Sequence, residues 1–375
     1  MRTAYAEIDL AALRFNIHGI CQKVAPAKVM AVVKANAYGH GAVAVANALL
    51  RAGATYLGVA RIEEAIELRE NGITAPLLVL GGILPEQIDA FLNYNIEITL
   101  YSWSMAALVA ERYKRLKPAA RIHVKIDTGM GRVGVPWQEA TALIEKIIQL
   151  PQIELVGVCT HFATSDEADK TFARLQLRRF NQVLGQLKRK QITIPFIHAA
   201  NSGAILDLPA TYFNMVRPGI MMYGWYPSGE TSESIPIKPV MTFKTKVLYV
   251  KNIAAGESVS YGRQFVATHP TRIATLAVGY GDGYNRLLTN QGSVLIRGKK
   301  YPVVGRVCMD LIHADIGSNQ EIQPGDEVVL FGRQGAEEVS VYEICEKLHT
   351  IPYEVCCWIA RRVPRVYIDQ NLGGS

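Results

Sequence analysis

Val29-Met30-Ala31-Val32-Val33 runs without a break into Lys34-Ala35-Asn36-Ala37-Tyr38-Gly39-His40-Gly41, and that junction decides how the rest of the chain is read. The apolar run predicts a strand, and Ala42 to Arg51 behind it has helical period, so the unit is a strand followed by a helix. The same alternation recurs outward. Tyr56 to Ala60, Leu77 to Leu80, Ile96 to Leu100, Arg121 to Ile126, Ile153 to Cys159, Pro195 to Ala199 and Phe213 to Val216 bring the candidate strands to eight. Between them lie amphipathic stretches: Glu63 to Asn71, Pro85 to Asn95, Ser104 to Leu116, Trp137 to Leu150 and Glu167 to Lys190. Eight successive units of this kind close into a TIM-type (β/α)8 barrel.

After Tyr223 the texture changes. Gly224 to Pro239 is rich in Gly, Pro and Ser, and Val240 to Ile253, Thr271 to Val278, Gly292 to Val307 and Glu327 to Phe331 read as strands joined by turns. The expected fold class is therefore α/β, with a barrel over residues 11–235 followed by a smaller, mainly β C-terminal domain over 236–375. Thr3 to Leu10 is strand-like and is expected to pair with that second domain rather than with the barrel.

Composition narrows the function classes. Of 375 residues, 49% are hydrophobic and 19% charged, which excludes a disordered or fibrous chain. The apolar runs are far shorter than the ~20 residues a bilayer span needs, and Glu7 and Asp9 fall where a secretory leader would be apolar, so neither membrane insertion nor secretion is expected. The net charge of +7 is spread over short clusters such as Arg178-Arg179, Lys188-Arg189-Lys190 and Arg361-Arg362, which read as solvated faces and not as a nucleic-acid surface. Six cysteines without a C-x-x-C spacing suggest no zinc or other metal site and no disulfide framework, and fit a reducing cytoplasm.

Lys34 abuts the C-terminal end of the first strand, where barrel enzymes place catalytic groups; a partly desolvated amine there loses its proton readily and becomes a nucleophile, the profile of a Schiff-base lysine. A lysine snorkelling from the barrel mouth is the alternative. The loops after the seventh and eighth strands carry Asn201-Ser202-Gly203, a helix-start signature, and Arg217-Pro218-Gly219-Ile220, a turn with free N–H groups. Barrel enzymes bind phosphate there. A phosphate-bearing aldehyde would unite the two ends, and pyridoxal 5′-phosphate fits that description.

The Lys34 stretch closely resembles the cofactor-lysine motif of alanine racemases. The likeness continues at Val124-Lys125-Ile126-Asp127-Thr128-Gly129-Met130-Gly131-Arg132-Val133-Gly134, His161-Phe162, Asn201-Ser202, Arg217-Pro218-Gly219-Ile220, Ser260-Tyr261-Gly262, Val278-Gly279-Tyr280-Gly281-Asp282-Gly283, Gly305-Arg306-Val307-Cys308-Met309-Asp310 and Tyr353-Glu354-Val355, in shared order over nearly the whole chain. The resemblance implies a pyridoxal-phosphate enzyme that interconverts L- and D-alanine, supplies D-alanine for peptidoglycan, and acts as a homodimer with shared sites. Two acid/base groups must then flank Cα: Lys34, and Tyr261 of the partner subunit. A free phenol titrates near ~10, so such a tyrosine needs positive charge nearby, and the resemblance makes His161 and Arg217 the candidates for the polar chain that reaches it. Arg217 facing the pyridine nitrogen would leave it unprotonated, a weaker electron sink that favours return of the proton over transamination.

The alternation of Ile122, Val124 and Ile126 with Arg121, His123, Lys125 and Asp127 points the second set into the barrel. The family's equivalent of Lys125 is a carbamate paired with the following arginine, here Arg132, which contacts the cofactor. By the same resemblance Tyr38, Tyr353, Ser202, Gly219 and Ile220 hold the phosphate, with Asn201 beside them. Met309 meets the substrate carboxylate and Tyr280 narrows the entrance, both from the partner. Competing readings are a dinucleotide site at Gly129-x-Gly131-x-x-Gly134, a non-catalytic pyridoxal-phosphate carrier, a barrel decarboxylase, and a racemase that accepts other small amino acids.

Overall fold

A computed structural model describes residues 3–114 and 119–369. The chain divides into two compact units, one of Leu13–Ala37 with Gly41–Lys238, the other of Met1–Ala12, Tyr38–His40 and Pro239–Ser375.

In the first unit eight parallel strands close on themselves: Lys28–Val32, Tyr56–Val59, Leu77–Val79, Glu97–Leu100, Ala120–Asp127, Ile153–Cys159, Phe196–His198 and Met215–Val216. Each pairs with its neighbour in sequence, and Met215 pairs back to Lys28 to seal the barrel. All eight expected strands are present. The eighth is shorter than the apolar run because Phe213 lies in the left-handed region at φ 47°, which no strand accommodates. The fifth strand buries its two faces differently: Ile122, Val124 and Ile126 are apolar and fully buried, while His123 and Lys125 alternate with them and are also buried. A polar stripe therefore lines part of the barrel interior.

The helices follow the pattern with shifts at their ends. Ala42–Arg51 is as read; Pro85–Gln87 is a 3-10 turn ahead of Ile88–Asn93; and Ala140–Ile147 starts late because the Trp137 N–H is held by the Asp127 carbonyl at 3.1 Å. The helix expected over 104–116 spans Trp103–Tyr113, and positions 115–116 lie outside the described residues. Thr171–Arg189 begins where the Asp169 side chain accepts from the Thr171 N–H. Among the described residues no helix is long and apolar enough to cross a membrane.

The second unit is mainly β. Tyr5–Asp9 lies between Met241–Ile253, antiparallel, and Arg365–Ile368, parallel. Thr271–Leu276, Ile312–Gly317 and Glu327–Gln334 extend the sheet. The strand expected over Gly292 to Val307 is a hairpin, Ser293–Ile296 with Lys299–Pro302, because Arg297 and Gly298 both adopt positive φ and make the two-residue turn that suits strand twist. Val341–Leu348 and Pro352–Cys357 are its principal helices.

Candidate active site

Behind the first barrel strand the backbone does something costly. Ala35, Asn36, Ala37 and Tyr38 lie consecutively at φ 51–53°, a left-handed turn that disfavours L-residues by roughly 1–2 kcal/mol each. Neighbouring groups hold it. The Ala35 N–H donates to Glu64 Oε1 at 2.6 Å, Ala37 N–H to the Val33 carbonyl at 2.9 Å, and Gly41 N–H to the Asn36 carbonyl at 2.9 Å. Asn36 Oδ1 accepts from Ala42 N–H at 2.8 Å at the start of the next helix. Glu64 Oε2 accepts from Ala60 and Arg61 N–H at 2.7 and 3.1 Å, so one carboxylate ties the loop after the first strand to the loop after the second. Lys34 is thereby presented at the strand end by a constrained loop, the kind of stored strain that accompanies functional positions.

Around it the barrel gathers cations. Lys125 is buried; desolvation, joined by Arg217, Arg132 and Lys34, lowers its pKa against an opposing pull from the Cys159 thiol. His161 is held well below its ordinary value by burial, then by Arg217, Lys125, Arg132 and Lys34. Arg217 is 6% exposed and donates from Nη2 to the Thr160 and Ala199 carbonyls at 2.7 and 3.0 Å; the same nitrogen lies 3.3 Å from His161 Nδ1. Its Nη1 lies 2.8 Å from His198 Nδ1. Apart from the Cys159 thiol, the principal charges acting on Lys125 and His161 are all positive. With Lys125 and Arg217 buried, Lys34 and Arg132 acting on Lys125 and His161, and no carboxylate among those principal charges, the region is suited to an anionic occupant.

The loops after the seventh and eighth strands are joined where the Gly219 N–H donates to Ser202 Oγ at 2.9 Å. Asn201 Oδ1 caps Ser202–Asp207 by accepting from Ala204 N–H at 3.1 Å, and Ser165 Oγ donates to it at 2.8 Å. The Ser202 and Gly203 N–H groups stand in the first turn, where no intrahelical carbonyl reaches them. A Cβ on Gly203 would come within 2.9–3.1 Å of Ser165 and Asp166 backbone atoms, so this turn requires glycine. Buried Ile220 opens the following 3-10 turn. The donor set therefore fits pyridoxal phosphate: an amine, a helix start able to receive an anion, and a gathering of cations.

The remaining expected residues belong to the second unit. The rings of Tyr38 and Tyr353 lie 5.9 Å apart, tilted by 50°. Tyr261, Met309 and Tyr280 are 69%, 53% and 42% exposed. Their loops are stitched together: Ser260 Oγ donates to the Arg306 carbonyl at 2.6 Å, Tyr280 N–H to the Cys308 carbonyl at 3.0 Å, and Gly281 N–H to the Met309 carbonyl at 2.9 Å. The approach is close enough that a Cβ on Gly279 would sit 2.3 Å from the Met309 carbonyl oxygen.

The glycine fingerprint has a different use. Asp127 Oδ1 accepts from Gly129 and Gly131 N–H at 2.9 and 3.1 Å, and Gly134 leads into Val135–Pro136, which pairs with the fifth strand. Donors needed for a pyrophosphate are occupied by this carboxylate, and the segment opens no helix.

Fold and site define a (β/α)8-barrel enzyme with an amine at the end of its first strand and an anion seat at the ends of its seventh and eighth, followed in the chain by a mainly β unit. Residues 8–227 match the family model for the alanine racemase N-terminal domain, and residues 240–367 the model for its C-terminal domain. An alanine racemase 2 of Caldanaerobacter subterraneus subsp. tengcongensis is 47% identical over 370 residues, covering 98% of this chain and 95% of that one. The solved alanine racemase of Clostridium difficile 630 superposes with a TM-score of 0.95 at 40% identity, covering 98% of this chain and 96% of that one. That of Bartonella henselae, described with covalently bound pyridoxal phosphate, gives 0.88 at 32% identity, covering 98% and 100%. The chain belongs to the alanine racemase family.

Proposed function

We propose that this enzyme interconverts L- and D-alanine with pyridoxal phosphate held at the barrel mouth, works as a homodimer in the cytoplasm, and supplies D-alanine for peptidoglycan. The observation that carries the reading is the gathering of Lys34, Lys125, Arg132, His161 and Arg217 within electrostatic reach of one another, with no carboxylate among the principal charges acting on Lys125 or His161. The Bartonella neighbour's covalently bound cofactor and the amine-and-anion donor set support the choice of group.

When bound, pyridoxal phosphate supplies an aldehyde that takes up an amine and a ring that withdraws electrons from Cα. Everything else falls to the chain. Lys34 would hold the cofactor, and its amine would move the proton on one face of Cα; Tyr261 of the partner subunit would move it on the other. Arg217 keeps its proton and would offer the ring of the bound group a donor that does not release one, while neutral His161 beside it adds no competing acid. Ser202, Gly219 and Ile220 would hold the phosphate, with Asn201 shaping the turn, and the family likeness adds Tyr38 and Tyr353 as hydroxyl donors to it. Met309 and Tyr280 of the partner subunit receive the substrate.

Lys125, whose proton burial and the neighbouring cations make easier to lose, takes up CO2 with loss of a proton to give a carbamate that pairs with Arg132. A carbamate carbon resonance after supply of 13C-bicarbonate would support this, and a plain amine under saturating CO2 would refute it. The reading as a whole is tested by a chiral assay of purified protein with each alanine enantiomer, with and without added cofactor. Cofactor-dependent inversion from both sides is expected; CO2 release without inversion, or no turnover, contradicts it.

A further inference from the structure

A chain of buried polar side chains runs through the barrel, from the first residue of the fourth strand to the residue that follows the eighth. Glu97 Oε1 accepts from Arg121 Nε at 2.9 Å, while Glu97 Oε2 accepts from the Tyr56 hydroxyl and lies 2.9 Å from His123 Nε2. His123 Nδ1 lies 2.9 Å from His198 Nε2, and His198 Nδ1 lies 2.8 Å from Arg217 Nη1. Glu97, His123, His198 and Arg217 are 4%, 0%, 0% and 6% exposed.

The ends dictate the direction of every link. A guanidinium can only donate, so His198 Nδ1 must accept and His198 carries its proton on Nε2. That proton points at His123 Nδ1, which must therefore accept, leaving the His123 proton on Nε2 and aimed at Glu97. A carboxylate only accepts, so the chain closes without conflict. Reversing one imidazole would set two donors face to face at Arg217, or two acceptors at Glu97.

We propose that Glu97 is a positioning residue for the racemase: through His123 and His198 it fixes the ring tautomers that anchor Arg217, and it sets a carboxylate at the far end of a chain whose other end, among the described residues, no carboxylate contacts. Its own surroundings agree, since burial alone would raise the carboxyl but hydrogen bonds from His123, Tyr56 and Arg121 outweigh it and hold the pKa below the usual value. His198 is held well below its ordinary value by burial and by Arg217, so it stays neutral. The role assigned to Arg217 rests on the racemase reading; the tautomers do not.

The test is long-range 1H–15N correlation of histidine-labelled protein at neutral pH, in the full-length chain. Both His123 and His198 should show a protonated Nε2 and a bare Nδ1. A proton on Nδ1 of either ring overturns the proposal. In Glu97→Gln one of the donors facing this position meets an NH2 instead of an oxygen, and the charge is gone. The His198 pattern should become mixed, and kcat should fall about ten- to a hundredfold, as for outer partners of metal ligands, with KM changed less than about threefold. Tyr56→Phe removes a contact to Glu97 but leaves the chain, so it should keep the pattern and keep kcat within about threefold. An unchanged pattern with full turnover in Glu97→Gln, or equal damage in Tyr56→Phe, would overturn the proposal. Should Glu97→Gln fail to fold, the unsubstituted protein's ring nitrogens decide alone. Failure of the racemase reading would look different: no turnover in the unsubstituted enzyme, with the ring-nitrogen pattern intact.

Discussion

The barrel mouth and the loop platform of the β unit are built on opposite principles. At the mouth, Lys125 and Arg217 are buried, His161 is kept neutral, and cations act on one another directly. On the platform, Tyr261, Tyr280 and Met309 are 42–69% exposed on loops that backbone hydrogen bonds hold firmly. The first region carries its tuning within one chain. The second displays large side chains that only another surface can bury, which is the mark of an interaction site. The homodimer proposed above would supply such a surface.

The largest effect should come from the mouth. Lys34→Ala is expected to lose turnover at least about 10,000-fold in both directions, read by the chiral assay; substantial residual inversion would move the chemistry elsewhere. Tyr261→Phe should lose about 100- to 10,000-fold, and unequally for the two enantiomers, since it removes one of two acid/base groups. Mixing the two variants as unfolded chains and refolding them together sharpens the contrast. If each site takes Lys34 from one chain and Tyr261 from the other, half the dimers are mixed and each holds one intact site, so about a quarter of full activity returns. No recovery would place both groups in one chain.

Smaller effects concern the supports. Glu64→Gln weakens the clamp on the left-handed turn, and a loss of turnover of about tenfold with a fall in Tm of about 2–4 °C is expected from one or two hydrogen bonds in a chain of this size. An unaffected variant would mean the turn holds itself. The mildest effect is on pH. His161 and His198 are held in the folded chain well below the ordinary imidazole value of 6.5 that holds for the unfolded chain. Protons therefore bind the unfolded state first, and their contribution to stability is complete above about pH 6.5 and lost as pH falls below it. Urea midpoints should decline across that interval; a flat profile would contradict neutral burial of these rings.

Much of this was legible in sequence. The eight barrel strands showed as apolar runs because parallel strands covered by helices are buried on both faces. The cations of the mouth sit in contiguous motifs, so Lys34, Lys125, Arg132, His161 and Arg217 could be picked out one by one. Glu64 could not, because an acid in the first turn of a helix looks like ordinary dipole compensation. The Glu97–His123–His198 chain was equally hidden: its members lie 26 and 75 positions apart, and only barrel closure brings them into line. The hairpin at Arg297-Gly298 had a signal, the glycine, inside a run read as one strand.

The central claim is that Lys34, and no other amine of this cation-rich mouth, takes the cofactor covalently. Borohydride reduction of the protein loaded with pyridoxal phosphate, followed by peptide mass mapping, tests it most directly. Loss of the near-visible absorbance is expected, with the reduced cofactor's mass on Lys34. Label on Lys125 or another residue, or an unlabelled Lys34 in protein that has bound the cofactor, would contradict it.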